Sequence, residues 1–161
     1  MSSPGVLLIN SNRMKPPIAP IGLDYVAEVL NANGIGVEVL DLCFEDDIES
    51  ALDQAFTRKD FDLIGISVRN TDDCYLGGQS FFLPDIRRLV ELVKFRIDAP
   101  VVMGGVGFSV MPENILSYCG ADFGVWGEGE EAQTELTIKV AAKSDWVDIP
   151  GLLYKRDGSF H

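Results

Sequence analysis

Val101-Val102-Met103-Gly104-Gly105-Val106-Gly107 is an apolar run that ends abruptly in glycines, and Gly127-Glu128-Gly129-Glu130 closes a second such run. Each reads as a buried strand whose backbone opens into a bare turn, where something large can approach closely. In a chain that alternates strands and helices, two such turns point to a broad ligand laid across one edge of a parallel sheet.

Outward from these turns the alternation is regular. Val6-Leu7-Leu8-Ile9-Asn10 is a continuous apolar run, as expected of a central parallel strand. A proline-rich loop follows from Ser11 to Pro20. Leu23, Val26, Ala27 and Leu30 then recur at helical spacing until Gly34. Val37 to Asp41 gives a second strand, and Ile48, Ala51, Leu52 and Ala55 mark a second helix. Phe61 to Val68 gives a third strand, followed by a long polar loop from Arg69 to Gln79. Ile86, Leu89, Val90 and Val93 mark a third helix. The Val101–Met103 strand leads to a glycine-rich loop, Gly104 to Ser109, and Pro112 opens a short helix through Leu116. Asp122 to Trp126 gives a fifth strand, and Ala132, Leu136 and Val140 a fifth helix.

These units predict an α/β fold: a flavodoxin-like (Rossmann-like) three-layer sandwich around a five-stranded parallel sheet of order 2-1-3-4-5. Residues 1–148 form this domain. Residues 149–161 begin a linker or hairpin extension, with Asp157-Gly158 at its turn. The second hairpin strand is so short that poor pairing is expected, which reads as a fragment cut at a domain edge. In such sheets a ligand sits beyond the carboxyl ends of the strands, at the switch point between strands one and three.

Composition narrows the function. A formal net charge of −12, from 13 basic and 25 acidic residues, repels phosphate backbones and argues against nucleic acid. Met1-Ser2-Ser3-Pro4 lacks the basic start and long apolar stretch of a secretory leader, and no run is long enough to span a bilayer. Cys43, Cys74 and Cys119 form no CxxC pair and read as reduced thiols of a cytoplasmic protein. Cys74, in a polar loop, is the one to test for reactivity. The single histidine is His161, so the interior offers no imidazole for metal binding or general base work. No catalytic or metal-ligating set emerges.

Several functions of this fold class fit poorly. A phosphoacceptor domain needs an acidic pair after strand one, where Asn10-Ser11-Asn12 stands. A flavodoxin needs a hydroxyl-rich phosphate loop there, and Ser11 to Pro20 is rich in proline instead. Gly105-Val106-Gly107-Phe108-Ser109-Val110 lacks the last glycine of GxGxxG and follows the wrong strand.

Five segments follow in one order: Pro20-Ile21-Gly22-Leu23-Asp24-Tyr25-Val26-Ala27, Gly34-Ile35-Gly36-Val37-Glu38-Val39-Leu40-Asp41, Asp62-Leu63-Ile64-Gly65-Ile66-Ser67, Pro100 to Gly105, and Gly120 to Glu130. In this order and spacing the chain resembles the amino-terminal cobalamin-binding domain of cobalamin-dependent radical S-adenosylmethionine enzymes. Ile149-Pro150-Gly151-Leu152-Leu153-Tyr154 resembles the segment that leads into their radical domain. The resemblance implies a module that binds and presents cobalamin. S-adenosylmethionine and an iron–sulfur cluster are expected in a downstream radical domain, which is also the expected partner and acts on a small-molecule substrate. The chain has no CxxxCxxC, so this piece alone is expected to be catalytically silent, as part of a methyltransferase or cyclase.

The resemblance also implies site residues. Gly104-Gly105 matches the GG that follows strand four in wider cobalamin-binding domains, where a bare backbone lets the nucleotide tail approach. Ser67 keeps the serine of their SxL or SxT pattern, and either bonds the nucleotide base or caps its strand. Their DxHxxG is replaced by Asn10-Ser11-Asn12-Arg13-Met14-Lys15, so no protein histidine is expected on cobalt. Arg13, Lys15 and Arg69 either face the tail's phosphodiester or are solvated cations. Asn12, Asn70 and Val106 complete the strand-end loops. Gly127, Glu128 and Gly129 precede a helix whose free N–H groups can meet cofactor amides, although Glu128 also suits the helix dipole. Tyr75 and Trp126 either pack on the corrin or, for Trp126, fill the core. A scaffold that keeps the fold without cobalamin, or a flavin- or nucleotide-binding domain, are the alternatives.

Overall fold

The computed structural model describes residues 3–73 and 80–161. Its strands are β1 (Gly5–Asn10), β2 (Gly36–Asp41), β3 (Leu63–Ser67), β4 (Val101–Gly104), β5 (Phe123–Val125), β6 (Leu152–Arg156) and β7 (Ser159–Phe160). They form one sheet in the order β2-β1-β3-β4-β5-β6-β7. The helices are α1 (Ile21–Ala32), α2 (Ile48–Arg58), α3 (Leu83–Arg96), α4 (Val106–Val110), α5 (Pro112–Cys119) and α6 (Glu130–Ala141). Cys74, Tyr75 and Gly77-Gly78 lie outside the described residues.

The parallel part of the sheet has the expected order 2-1-3-4-5, but the sheet has seven strands rather than five. The carboxyl-terminal hairpin joins it as an antiparallel edge, with Phe123 opposite Tyr154 and Val125 opposite Leu152. Apolar burial explains this. Leu152 and Tyr154 are buried in the same cluster as Phe123 and Val125. Trp146 packs edge-to-face on Phe123 and Tyr154, at centroid distances of 4.7 and 4.8 Å. The short β7 pairs despite its length, because His161 and Tyr154 also exchange backbone hydrogen bonds of 3.0 and 3.2 Å.

The pleat divides the core between two faces. Leu7 and Ile9 of β1, Ile64 and Ile66 of β3 and Val101 and Met103 of β4 pack with the apolar sides of α2, α3 and α5. Val6 and Leu8, Leu63, Val102, Phe123 and Val125 pack with α1 and α6 on the opposite face. All six residues of β1 are buried, as befits a central strand covered on both sides. Local chemistry sets the helix ends. The Asp47 carboxylate accepts the Glu49 and Ser50 N–H groups at 3.0 and 3.2 Å, which starts α2. Gly34, at φ +76°, turns the chain out of α1 so that the Ile35 N–H reaches the Leu30 carbonyl at 3.1 Å.

The stretch from Gly104 to Ser109 corrects the sequence expectation. It is not an open loop: α4 forms within it and drives Phe108 fully into the core. The turn that follows strand four is short because the buried phenyl ring pulls the chain back under the sheet. Gly124 of β5 makes room for that ring, since a Cβ there would stand 2.2 Å from Phe108 Cζ. Gly124→Ala is therefore expected to lower unfolding free energy by about 2 kcal/mol, the scale of overpacking a close-fitted core. Adding Phe108→Leu should recover part of the loss, a coupling that urea unfolding of the single and double variants measures.

Candidate cofactor site at the carboxyl edge of the sheet

Residues two apart in a strand face the same way, and adjacent parallel strands align them in rows. On the α1/α6 face one row runs Leu8, Gly65, Val102, Phe123, and the next, nearer the strand ends, runs Asn10, Ser67, Gly104. Each row contains a glycine. The sheet is thus lowered at Gly65 and Gly104, and a cavity of about 480 Å³ lies above these positions. Leu23 and Val26 of α1 form one wall, and Gly129, just ahead of α6, with Gln133 of α6 the other.

The three glycines after strand four have different roles. A Cβ on Gly104 would make only ordinary contacts, 3.8 Å from the Val125 carbonyl oxygen and 3.9 Å from Val125 Cβ, so its bareness leaves cavity space. Gly105 has φ +100° and ψ 170°, a conformation essentially confined to glycine, and its Cβ would stand 2.7 Å from the Val68 carbonyl oxygen. A Cβ on Gly107 would stand 2.7 Å from the Arg69 carbonyl oxygen. At Gly105 and Gly107 the close neighbour is therefore the loop after β3. That loop is tied down by Val68 N–H donating to the Gly104 carbonyl at 2.7 Å and Gly107 N–H donating to the Val68 carbonyl at 2.9 Å.

Ser109 carries the link onward, donating from Oγ to the Gly105 carbonyl at 3.2 Å and accepting the Gly127 N–H at 3.1 Å. At β1, Asn10 is buried and donates from Nδ2 to the Asp41 carboxylate at 2.8 Å. Its Oδ1 accepts the Asn12 N–H, and Asn12 Oδ1 accepts the Met14 N–H, both at 3.2 Å. These two Asx turns steer the loop after β1. Asn12 is 8% exposed, yet its Nδ2 has no hydrogen-bond partner among the described residues. The same holds for Nε2 of Gln133, also 8% exposed. Both residues line the cavity.

Of the residues singled out from the sequence, the fold brings Asn12, Ser67, Arg69, Gly104, Gly105, Val106, Gly127 and Gly129 to this cavity. Arg13 and Asn70 line a different hollow of about 460 Å³ on the α2/α3 face, which Asn12 and Arg69 also border. Arg13 there donates to the Glu45 carbonyl at 3.0 Å, and Lys15 to the Cys43 carbonyl at 2.7 Å. Glu128 is exposed and lines neither. Trp126 is 65% exposed, so it is no core residue: its strand ends at Val125, one residue before it. His161 stacks on Tyr154 at the far edge of the sheet.

Sequence reasoning missed Gly65, Ser109 and Gln133. The signals were present for two of them. A glycine inside Leu63-Ile64-Gly65-Ile66 marks a close approach in a strand, and Gln133 interrupts the inward stripe of α6 with a polar group. Cys43 and Cys119 are buried and free, and burial pushes the Cys119 thiol up to about 11. No group of three or more His, Cys, Asp or Glu that could hold a metal ion occurs among the described residues.

Paired alanine substitutions separate the glycine roles. Gly105→Ala is expected to cost about 2–3 kcal/mol from backbone strain and the contact with Val68. Gly104→Ala should stay within about 0.5 kcal/mol of the parent. Thermal unfolding followed by far-ultraviolet circular dichroism measures both.

Known proteins match this arrangement. A family model described as the B12 binding domain matches residues 9–137. Tryptophan 2-C-methyltransferase of Streptomyces laurentii is 40% identical over 154 residues, covering 94% of this chain and 26% of that protein. The structure of the radical S-adenosylmethionine methyltransferase TsrM from Kitasatospora setae, with cobalamin and a 4Fe-4S cluster bound, aligns with a TM-score of 0.94 at 39% identity, covering 99% of this chain and 28% of that one. The cobalamin-dependent S-adenosylmethionine radical enzyme OxsB, with aqua-cobalamin and S-adenosylmethionine bound, shares the fold at a TM-score of 0.80 and 16% identity, covering 99% of this chain and 22% of that one. The chain thus spans about a quarter of the length of these relatives. No helix among the described residues is long and apolar enough to cross a membrane. With the family model matching most of its length, the chain belongs to the B12 binding domain family.

Proposed function

We propose that this domain binds cobalamin with the nucleotide tail extended into the cavity between α1 and α6, and serves a longer radical S-adenosylmethionine methyltransferase. The observation that carries this reading is the cavity itself: a trough of about 480 Å³, left open over Gly104, with two amide donors in its lining that have no partner among the described residues. Its size suits a small-molecule group, for which sites of about 300–1,000 Å³ are usual. The walls are apolar, which suits a flat aromatic base, and the donors suit a tail rich in oxygen acceptors.

In this reading Asn12, Ser67 and Arg69, at the strand ends, would hold the sugar and phosphate of the tail. Arg69 is the cation among the described lining residues and is available to the phosphodiester. Gly104 would let the tail pass close to the backbone, and Gly105 holds the turn beside it against the loop after β3. Val106, 73% exposed, and Ile18, 42% exposed, present apolar surface beside the corrin. Gly127 and Gly129 border the same opening ahead of α6. Arg13, Asn70 and Glu128 lie outside the lining of this cavity.

Cobalamin supplies alkyl-transfer chemistry at cobalt when bound. This chain's share is to hold the cofactor, keep its tail away from the metal and leave the strand-end face open to a second domain. The single histidine supports a cobalt centre without protein imidazole, since His161 stacks on Tyr154 away from the cavity. A downstream radical domain holding S-adenosylmethionine and an iron–sulfur cluster, and a small-molecule methyl acceptor, complete the proposed enzyme. The relatives with those groups in their structures support that assignment.

The test is cofactor uptake followed by spectroscopy. The domain incubated with hydroxocobalamin should retain about one equivalent through gel filtration. After reduction to Co(II), its electron paramagnetic resonance spectrum should lack nitrogen superhyperfine splitting. A colourless protein, or clear three-line nitrogen splitting, would contradict the reading. Gly104→Leu should reduce uptake at least about tenfold while leaving the circular dichroism spectrum intact, because its side chain fills cavity space.

A further inference from the structure

Gln133 stands at the closed end of the cavity. It is 8% exposed, and its Nε2 lacks a hydrogen-bond partner among the described residues. That nitrogen lies over Gly65, 2.5 Å from where a Cβ would stand. Gly65 is one row of the pleat deeper than Ser67 and Gly104, so the amide sits roughly 6–7 Å further from the strand ends. Its surroundings are apolar: Leu8 and Val102 flank it on the sheet, and Ala132 and Leu136 on the helix face the same cluster. An amide donor buried in such a place without an acceptor is unfavourable for the folded protein. A ligand atom that accepts there satisfies it.

The chemistry of the tail says which atom that is. Phosphate and ribose carry many acceptors, but they precede the base and lie nearer the mouth. The base is terminal and reaches deepest. It is flat and apolar apart from one ring nitrogen, which becomes a free acceptor once the base has left cobalt. A deep, apolar end where the Gln133 amide has no acceptor among the described residues is complementary to that one feature. Ser67, one row nearer the mouth, has its Oγ 3.2 Å from where a Gly105 Cβ would stand, directed toward the turn after β4.

We infer that Gln133 donates a hydrogen bond from its side-chain amide to the acceptor ring nitrogen of the nucleotide base, and thereby determines which lower bases the domain accepts. The inference rests on the cobalamin reading above and names the residue that recognises the base. Cobamides with a benzimidazole or purine base offer the acceptor. A cobamide with a phenolic base does not.

Binding measurements on the intact domain test this without any catalytic assay. Wild type and Gln133→Leu are titrated with cobalamin, with p-cresolyl cobamide and with cobinamide, which has no nucleotide tail. The ratio of variant to wild-type Kd cancels the cost of freeing the base from cobalt, because that cost belongs to the ligand. The expected ratio is about ten for cobalamin, the scale of one hydrogen bond, and about one for p-cresolyl cobamide and cobinamide. Equal ratios for cobalamin and p-cresolyl cobamide overturn the inference. So does a cobalamin ratio near one. Gln133→Met, close in size and without a donor, replaces the leucine variant if circular dichroism shows that one misfolded. Failure of the wild type to bind cobalamin at all is a separate result, and overturns the functional reading together with this one.

Discussion

A parallel strand presents every second residue to the same side, and on the α1/α6 side of this sheet β3 and β4 each place a glycine there. The rest of the site depends on that. The helices pack against Leu8, Leu63, Val102 and Phe123, which stand up from the sheet; Gln133 of α6 reaches down over Gly65, while the space over Gly104 stays open. Close-packed interiors rarely leave voids larger than a water molecule. A cavity of about 480 Å³ between α1 and α6 therefore reflects the small residues in its floor, Gly104 above all.

The mouth of this cavity is held by backbone. The loop after β3, the turn after β4 and the turn after β5 are joined in sequence through Val68, Gly104, Gly107, Ser109 and Gly127. Phe108, fully buried beneath, anchors the middle of that chain of contacts. The glycines at Gly105 and Gly107 serve this close backbone packing, and Gly104 serves the cavity. A large rigid cofactor is held best by loops that do not have to be ordered when it arrives, since ordering them would cost binding free energy.

Across the sheet the molecule is different in kind. The α2/α3 face carries the larger apolar cluster, and ion pairs of Arg96 with Asp53 at 2.6 Å and with Glu49 at 3.2 Å tie α3 to α2. Arg13 and Lys15, though close in sequence to Asn12, are turned to that side by hydrogen bonds to the Glu45 and Cys43 carbonyls. Two Asx turns direct the loop after β1, so that Asn12 borders both hollows while Arg13 lines only the one on the α2/α3 face.

The sequence by itself determined the strand–helix alternation, because that depends on local periodicity and on glycines at strand ends; five such units made the parallel order 2-1-3-4-5 the expected one, and the family was legible through the resemblance of five ordered segments. It also determined that the one histidine is His161, a matter of composition alone. The tertiary structure alone decided which polar residues share the cavity. Asn12 and Gln133 lie more than a hundred residues apart in the chain, and their unpaired donors become meaningful only when α6 closes over β3. It also decided that the terminal hairpin extends the sheet, because Leu152 and Tyr154 find their apolar partners on β5 and Trp146. Periodicity shows which face of an element is apolar, but the neighbour that covers it, and the gap left where a glycine interrupts the row, arise from packing between distant segments.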